Sequence, residues 1–501
     1  METVHLLTLG CPKNLVDSEL MLGVLANAGY EITTDPASAQ VLIVNTCSFI
    51  EEAKKESIEA ILEAAELKMK TPGRRLVVAG CMAQRYGAQL AEELPEVDIF
   101  VGTGNFLELP ELLRRTAAAA LDSSRAGGGD GEAIPYLGGA HLLPRSDTPR
   151  IVTGNFFTSY LKVSEGCNHK CAFCIIPRIR GPHESRPVAD LVLEAQRLAE
   201  GGVREINLIA QDLTAYGRDL TPQSSLADLL AKLNEIENLT WIRLLYCYPN
   251  FVTDSLLEAV AELPKVVKYI DMPLQHADDT VLRAMRRERS GDVLRRLLDR
   301  IRVRVPQVAL RTSFIVGFPG ETEQSFYRLM DFVREQEFDH LGVFTYSREE
   351  GTSAYELPGQ IPEREKRRRR TQLMEAQAEI SLRHNRALVG KEIQVLVEGQ
   401  IAGRATRMRG RTPWQAPEID GMVVLRGAAE PGQFVSARVK QAITYDLVAE
   451  VVGAGQSGVA SNDKPINGGK PQEVHGRPST TIARYEDQIA RGDGAGIKSR
   501  A

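Results

Sequence analysis

Residues 164–174 of this 501-residue chain read SEGCNHKCAFC and place three cysteines in one short loop: Cys167, Cys171 and Cys174. The preceding residues, TSYLKV at 158–163, have the β-prone composition of a strand. Thiolates at this C-x3-C-x2-C spacing are the soft ligands that iron–sulfur clusters take, and three of them leave one iron of a [4Fe–4S] cluster open. The loop therefore predicts a [4Fe–4S] cluster at the end of a strand.

Other uses of three clustered cysteines fit this loop less well. Structural zinc takes four ligands, usually as two pairs, and the loop has no second pair. His169 is a conceivable fourth ligand, but it lies between two cysteines of a very tight loop. A disulfide would leave one of the three cysteines unpaired. We therefore interpret the loop as an iron–sulfur site.

The loop and its flanks resemble the radical S-adenosylmethionine (SAM) enzymes. The aromatic Phe173 before the last cysteine belongs to that resemblance, and the wider text from 159 to 187 is similar to the methylthiotransferase branch. The resemblance implies that the open iron binds the amino and carboxylate groups of SAM. It also implies that one electron from the cluster cleaves SAM to a 5′-deoxyadenosyl radical.

Length and composition indicate a globular protein of two or three domains, because 501 residues exceed one ordinary core. The chain is 43% hydrophobic and 25% charged, and its net charge of −5 gives no overall nucleic-acid footprint. Seven cysteines behind a start without a signal peptide predict a reducing, cytoplasmic location. No apolar stretch is long enough to cross a membrane, so we expect no membrane partner.

Three segments of the first domain share one design, an apolar β-rich run that ends in a cysteine and precedes a helical pattern. The runs cover 5–11, 41–47 and 76–81, and the helical patterns cover 18–28, 50–68 and 83–94. Such alternation predicts a parallel sheet with its ligand site at the carboxyl ends of the strands.

The cysteines at those strand ends are Cys11, Cys47 and Cys81. Adjacent strands would bring the three thiolates into one mouth, which predicts a second [4Fe–4S] cluster with its own open iron. The alternative is that they are small buried hydrophobic residues, as free cysteine often is. Methylthiotransferases carry an auxiliary cluster on three cysteines here, so the resemblance implies the cluster.

The stretch GCPKNLVDSE at 10–19 resembles the ribosomal-protein branch of the methylthiotransferases. The transfer-RNA branch usually has glutamine and methionine where this chain has Pro12 and Lys13. Asp17 and Ser18 belong to the resembling text, but either side chain could equally cap the following helix.

The domain organisation follows from these patterns. Six strand-like runs alternate with helical patterns after residue 156, which predicts a partly open barrel whose active face lies at the strand C-termini. We expect an α/β protein with five parts: an N-terminal methylthiotransferase domain with a doubly wound parallel sheet (1–119), a flexible linker (120–150), a central radical SAM partial (β/α)6 barrel (151–383), a small all-β TRAM-like barrel (384–452) and a disordered tail (453–501).

Several polar or turn residues fall at the predicted active rim. Gln211 and Tyr246 follow the second and third strands, and the text IVGFPGE at 315–321 resembles the superfamily segment that supports the adenine. The resemblance implies SAM contacts at five positions: Gln211, Tyr246, Ile315, Gly317 and Glu321. Each could instead be a solvated loop residue or a cap. Cys247 is expected to be a buried free thiol, and His276 either a substrate contact or a structural residue.

The C-terminal part changes character. Residues 363–387 predict a long amphipathic helix, whose basic run at 366–370 we interpret as a solvated face rather than an RNA grip. Short alternating strands follow and resemble a TRAM domain. Residues 386–450 carry nine Lys/Arg against seven Asp/Glu, which favours a protein substrate over tRNA.

These observations predict a radical SAM methylthiotransferase with two [4Fe–4S] clusters and SAM as cofactors. By resemblance, it adds a methylthio group to the β-carbon of an aspartate in small-subunit ribosomal protein S-twelve. A low-potential donor such as flavodoxin or ferredoxin would supply the electron, and no catalytic side chain is assigned beyond the cluster ligands. Two alternatives stay open: the same chemistry on a tRNA adenosine, and a non-enzymatic iron–sulfur or RNA-binding protein.

Overall fold

A computed structural model describes residues 1–123, 134–139, 143–287, 290–402 and 407–453. The N-terminal domain is a six-stranded parallel sheet with strand order β2-β1-β3-β4-β5-β6. Its elements are β1 (Thr3–Thr8), α1 (Pro12–Asn27), β2 (Glu31–Ile32), β3 (Val41–Thr46), α2 (Glu51–Met69), β4 (Arg75–Gly80), α3 (Cys81–Glu93), β5 (Ile99–Val101), α4 (Leu109–Ser123) and β6 (Ile134–Tyr136). The central strands are buried on both faces by two hydrophobic clusters, so the predicted doubly wound sheet is confirmed.

Part of the predicted linker belongs to this sheet. Helix α4 continues to Ser123, and β6 pairs in parallel with β5, through Ile134 opposite Ile99. A three-residue strand is too short to show periodicity in a sequence, so the prediction of a flexible linker over 120–150 was wrong at these positions. Residues 124–133 and 140–142, also in that range, lie outside the described residues.

The central domain is a six-stranded parallel sheet with strand order β14-β13-β12-β11-β10-β7, curved into a partial barrel. Its elements are β7 (Thr158–Lys162), β8 (Ser164–Glu165), α5 (Ile176–Arg180), β9 (Glu184–Ser185), α6 (Val188–Glu200), β10 (Glu205–Ile209), α7 (Leu226–Asn234), β11 (Trp241–Leu244), α8 (Asp254–Glu262), β12 (Val266–Asp271), α9 (Asp279–Ala284), α10 (Gly291–Arg304), β13 (Ala309–Val316), α11 (Glu323–Gln336) and β14 (His340–Thr345). The six strand-like runs that the sequence shows after residue 156 are confirmed as the six strands of this sheet.

The two faces of the barrel strands pack differently. Outward residues such as Leu208 and Leu244 form the main core with the surrounding helices. Inward residues such as Tyr160 and Tyr269 pack against Val16 of α1 and Ala416 of the C-terminal domain. The other two domains therefore complete the inside of the barrel, one at its mouth and one at the opposite end.

The long helix α12 (Glu363–Leu388) leads into a closed five-stranded barrel with strand order β15-β16-β17-β19-β18. Its strands are β15 (Glu392–Gln400), β16 (Arg407–Arg411), β17 (Val423–Arg426), β18 (Phe434–Ala442) and β19 (Leu447–Gly453). The predicted small β-barrel is confirmed. The disordered tail was predicted over 453–501; Gly453 is the last residue of β19, and residues 454–501 lie outside the described residues.

The basic run of α12 is not simply a solvated face, as the sequence had suggested. Lys366 and Arg369 are only 4% and 5% exposed. Arg369 pairs with Glu321 at 3.1 Å, which fastens the helix to the barrel, and with Glu365 of its own helix at 2.8 Å. The spacing of charged residues along the helix could not reveal this, because the acidic partners Glu321 and Glu323 lie in the barrel, more than 40 residues earlier in the chain. No helix in the described ranges is long and apolar enough to cross a membrane.

Candidate functional site

The ends of β1, β3 and β4 bring the first three cysteines together. Cys11 caps α1, Cys47 follows β3, and Cys81 begins α3, and the three strands are direct neighbours in the sheet. Gly10 has φ +91° and approaches so closely that a Cβ there would lie 2.8 Å from the Cβ of Cys47. Asn14 joins the three strand ends, because its amide donates to the carbonyls of Leu9 and Thr46 and its Oδ1 accepts from Cys81 Sγ at 3.6 Å.

The electrostatics of this first set reflect burial and mutual proximity. Burial, together with the neighbouring Cys81 and Cys11, raises the pKa of the Cys47 thiol to about 12. Burial also raises the pKa of Cys81, while Arg180 opposes the rise. Thiols must lose their protons to bind a metal, so ligation would release protons from this set.

The second set lies on the loop between β8 and α5, as predicted. Burial raises the pKa of Cys167 to about 11 and that of Cys174 to about 12, and in both Cys171 adds to the rise. The guanidinium of Arg287 approaches Cys171 Sγ at 3.7 Å. This cation faces the loop from a different part of the barrel.

His169, the conceivable fourth ligand, is engaged elsewhere. Its Nε2 lies 2.6 Å from Oδ2 of Asp212, and its ring stacks on Tyr248 with centroids 3.8 Å apart. The guanidinium of Arg287 also lies over the ring of Tyr248, with its Cζ 4.0 Å from the ring centroid. The histidine therefore braces the cysteine loop against the neighbouring strand ends.

A single short helix connects the two cysteine sets. Helix α5 begins two residues after Cys174, and its Ile179, together with Ile175, packs around Cys81. The last residue of the helix, Arg180, donates to Cys81 Sγ at 3.3 Å. This helix therefore links the loop of the second cysteine set to a sulfur of the first.

A buried charge network lies at the same junction. Lys162 donates to Asp17 Oδ1 at 2.6 Å and to Glu165 Oε2 at 2.7 Å. Arg180 donates to the other oxygen of Asp17 at 2.6 Å. Burial opposes ionisation of Glu165, but Lys162 and Arg180 outweigh it and lower its pKa to about 2. Asp17, which sequence reasoning weighed as a helix cap, is instead a fully buried ion-pair partner across the domain junction.

The predicted SAM contacts at the second and third strand ends lie beside this network. Gln211 donates to Glu165 Oε1 at 2.5 Å, and its own Oε1 is buried without a hydrogen-bond partner. Tyr246 has φ +65°, and its ring lies 3.2 Å below the ammonium of Lys13. Burial raises the pKa of Tyr246, and Cys11 of the N-terminal set and Asp271 add to the rise.

The predicted contacts on the fifth strand form a turn. Ile315 packs against the same apolar cluster as Phe173 of the cysteine loop, and its N–H donates to the carbonyl of Gln275 at 2.8 Å. The carboxylate of Glu321 is buried and accepts from the N–H groups of Gly317 and Phe318. The carboxylate of Glu321 therefore stabilises the turn. Of the three predicted contacts on this segment, Glu321 is the one whose side chain is used in this way.

Two residues with functional promise were not singled out as site residues. Arg180 and Lys13 are both nearly buried at the junction of the two domains. Lys13 lies two residues after Cys11, and Arg180 lies six residues after Cys174. The signal that could have found them is a charged residue within a few positions of a cysteine ligand. Cys247 is buried, as expected.

Three family models match the chain: "Uncharacterized protein family UPF0004" over 3–102, the radical SAM superfamily over 161–333, and the TRAM domain over 389–452. The ribosomal protein uS12 methylthiotransferase RimO of Citrifermentans bemidjiense is 48% identical over 453 residues, which cover 90% of this chain and 98% of that protein. The chain belongs to the uS12 methylthiotransferase family.

Further members show the same extent of similarity. RimO of Trichlorobacter lovleyi is 49% identical over 90% of this chain and 98% of its own length, and RimO of Myxococcus xanthus is 48% identical over 90% and 92%. Among solved structures, the radical SAM methyltransferase TsrM from Kitasatospora setae aligns with a TM-score of 0.49 at 15% identity, covering 69% of this chain and 73% of that chain.

Membership of the uS12 methylthiotransferase family implies [4Fe–4S] clusters and SAM as cofactors. The two cysteine sets fit such clusters, because each offers three thiols and five of the six are partly accessible. Among the residues that the structure describes, no group of three or more His, Cys, Asp or Glu could hold a single metal ion. A cubane takes each thiolate on a different iron, so its ligand sulfurs need not converge on one point.

Proposed function

We propose that this protein transfers a methylthio group to ribosomal protein uS12, at the β-carbon of an aspartate, using two [4Fe–4S] clusters and SAM. The observation that carries the proposal is the link between the two cysteine sets: the helix that follows Cys174 ends on the sulfur of Cys81. Sulfur insertion at an unactivated carbon needs a radical source and a sulfur carrier close together, and this link holds their two sites in one place.

The proposed ligands divide into two sets. Cys167, Cys171 and Cys174 would hold the cluster that binds SAM, and Cys11, Cys47 and Cys81 would hold the auxiliary cluster. When bound, the clusters supply one-electron reduction of SAM and an iron that presents sulfur. A cationic side chain beside each set offsets the negative charge that thiolate ligands bring: Arg287 lies beside Cys171, and Arg180 lies beside Cys81.

The proposed SAM contacts are Gln211, Tyr246, Ile315 and Gly317. Gln211 is supported by its buried, unpartnered Oε1, which has an accepting position left for a ligand donor. Ile315 is supported by its packing against the apolar cluster that Phe173 of the cysteine loop also contacts. Glu321 would act indirectly, because its carboxylate holds the turn that presents Gly317.

Water exclusion is the chain's other contribution, because a carbon radical in an open site is quenched. Glu349, 2% exposed, lies on the loop after β14 and accepts from Lys54 at 3.1 Å and from Arg85 at 2.9 Å. Both cations belong to the N-terminal domain. The same loop reaches the cysteine loop, where the N–H of Ala354 donates to the carbonyl of Ala172. The N-terminal domain is thus clamped over the mouth of the barrel.

The substrate can be tested directly. Reconstituted enzyme with SAM and a strong reductant is given a uS12 peptide and a tRNA in parallel, and both are analysed by mass spectrometry. We expect a methylthio addition on the peptide aspartate. Methylthio-adenosine without modified aspartate would reverse the choice of substrate, and no 5′-deoxyadenosine from SAM would favour a non-enzymatic iron–sulfur or RNA-binding protein.

The two-cluster assignment has its own test. Two [4Fe–4S] clusters predict about eight irons per chain, falling by half when Cys11, Cys47 and Cys81 are changed to alanine. Unchanged iron in that variant would refute the second cluster. We further propose a cytoplasmic location and a flavodoxin- or ferredoxin-type electron donor, which the expected reducing environment of the thiols supports. A pull-down of the donor from cytoplasmic extract, with electron transfer assayed in vitro, tests that part.

A further inference from the structure

Lys13 is a buried lysine that reaches from the Cys11 end of the N-terminal sheet to the rim of the barrel. It is the second residue of α1, two positions after Cys11, and only 9% exposed. Its Nζ lies 3.2 Å from the centroid of the Tyr246 ring, at the third strand end of the barrel. The N-terminal domain therefore reaches into the barrel mouth with a cation at its tip.

The surrounding acidic groups are already committed to other partners. Glu165 is held by Lys162 at 2.7 Å, and Asp271 is held by Arg311 at 2.8 Å. Across the part of the chain that the structure describes, the ion pairs include none made by Lys13. Its face-on contact with Tyr246 is a cation–π interaction, which replaces only part of the hydration that a buried ammonium loses.

A buried lysine without an acidic partner is a suitable binding group for an anion that is not part of the chain. Buried charges are normally paired, and one that is not costs free energy unless a ligand supplies the partner. The position is also the one that a substrate must reach, because it lies beside Cys11 on one side and beside Tyr246 at the barrel rim on the other.

We propose that Lys13 binds the side-chain carboxylate of the target aspartate of uS12 and so selects an acidic side chain at the reacting position. This inference rests on the proposed function and names the residue that makes its substrate choice. The carboxylate would take the free donors of the ammonium, and the adjacent β-carbon would then be fixed in the mouth between the two cysteine sets. A charge-assisted hydrogen bond of this kind orients as well as binds.

A different role for Lys13 would be to offset the charge of the auxiliary cluster through its proximity to Cys11. The two roles differ in what they recognise. A cation that acts on the cluster affects every substrate equally. A cation that binds the substrate carboxylate affects only substrates that carry one, so an aspartate-to-asparagine change in the peptide separates the two.

The experiment is a double-mutant cycle on the reconstituted holoenzyme. Wild type and Lys13→Gln are each assayed with a uS12 peptide carrying aspartate or asparagine at the target position, measuring kcat/KM for methylthio addition and 5′-deoxyadenosine formation. We expect wild type to prefer the aspartate peptide by about 10- to 100-fold, and Lys13→Gln to lose most of that preference. Lys13→Arg, which keeps the charge, should retain part of it.

Binding gives a readout that does not need turnover. The affinity of each peptide for wild type and variants, measured by fluorescence anisotropy, should show the same loss of preference. Iron content and melting temperature establish that the variants fold and carry both clusters. Lys55→Gln, on exposed α2 with a side chain 70% accessible, is the matched control and should behave as wild type.

The outcomes separate this inference from the proposed function. If Lys13→Gln lowers kcat/KM equally for both peptides, or keeps the full aspartate preference, Lys13 does not bind the carboxylate although the enzyme still modifies uS12. If wild type modifies neither peptide but cleaves SAM, the proposed substrate is wrong and the inference falls with it.

Discussion

Nη2 of Arg180 lies 3.3 Å from Sγ of Cys81, although the two residues belong to different domains. The same nitrogen also donates to Asn14 Oδ1 at 2.6 Å, and the other terminal nitrogen donates to Asp17 at 2.6 Å. A planar guanidinium can serve these three partners at once, whereas an ammonium is a single point charge. This contact joins the helix that follows one cysteine set to a sulfur of the other.

Replacing Arg180 should therefore affect the auxiliary cluster site at Cys81 more than the cluster site at Cys167, Cys171 and Cys174. Arg180→Ala removes one of the two cations that pair with the buried Asp17 carboxylate, the other being Lys162, and we expect a loss of about 3 kcal/mol in the free energy of unfolding. Arg180→Lys keeps the charge but loses the fork, so we expect a stable protein whose auxiliary cluster has altered electron paramagnetic resonance features. The check is denaturant unfolding together with spectroscopy and iron content. Arg178→Lys, exposed on the same helix, is the control, and equal effects from both would contradict a specific role for Arg180.

The clamp at Glu349 should control how firmly the N-terminal domain closes over the barrel. Glu349→Gln leaves Lys54 and Arg85 without their shared carboxylate, and the loop that carries it also contacts the cysteine loop. We expect faster proteolysis at the domain junction and more 5′-deoxyadenosine released per methylthio group formed, since water reaches the site more easily. The neighbouring exposed Glu350→Gln provides the control. An unchanged product ratio would show that this ion pair does not seal the site.

The docking of the C-terminal barrel should depend on pH through Glu205. This buried carboxylate of β10 accepts from Arg243 at 3.0 Å and pairs with Arg411 of β16 at 2.5 Å. Burial opposes its ionisation, but the two arginines prevail and lower its pKa to about 2, from a usual value of 4.5. Because the folded-state pKa is depressed, the stabilisation is complete above pH 4.5 and is lost as the pH falls towards 2.

The measurement is denaturant unfolding of wild type and Glu205→Gln in the metal-free chain, so that acid loss of clusters does not contribute. We expect Glu205→Gln to be less stable by about 3 kcal/mol near pH 7, with the difference shrinking between pH 4.5 and 2. Glu430→Gln, in the exposed β17–β18 connection, is the control. A stability difference that stays constant from pH 7 to 3 would exclude this carboxylate as its source.

The fold and the six proposed cluster ligands could be predicted because their signals are local. The spacing of Cys167, Cys171 and Cys174 is written in eight consecutive residues, and each N-terminal cysteine ends its own apolar strand. Parallel topology then brings strand ends together regardless of their separation in sequence. What could not be predicted depends on which side chains meet across a domain junction.

Arg180 and Asp17 show that limit. Nothing in the sequence around either residue indicates a partner 163 positions away, and the short distance between them exists only once α1 lies over the barrel mouth. Glu321 shows the same limit from the other side. The text at 315–321 was informative about the turn, but the carboxylate is consumed by that turn and by Arg369 of α12, which no local pattern reveals.

The turn at Gly317 offers a last test of the proposed SAM site. Gly317 has φ +76°, and a Cβ there would lie 2.3 Å from Cγ of Lys366, whereas Gly320 has φ +80° with nothing within 4 Å. Gly317→Ala therefore adds a collision to the backbone strain, and Gly320→Ala adds the strain alone. We expect Gly320→Ala to lose about 1 kcal/mol of stability with normal SAM affinity, and Gly317→Ala to lose more and to bind SAM at least tenfold more weakly. Calorimetric titration of the reconstituted variants with SAM measures both affinities. If the two variants bind SAM equally well, Gly317 lies outside the SAM site. The backbone strain that both variants share would then account for any loss of affinity.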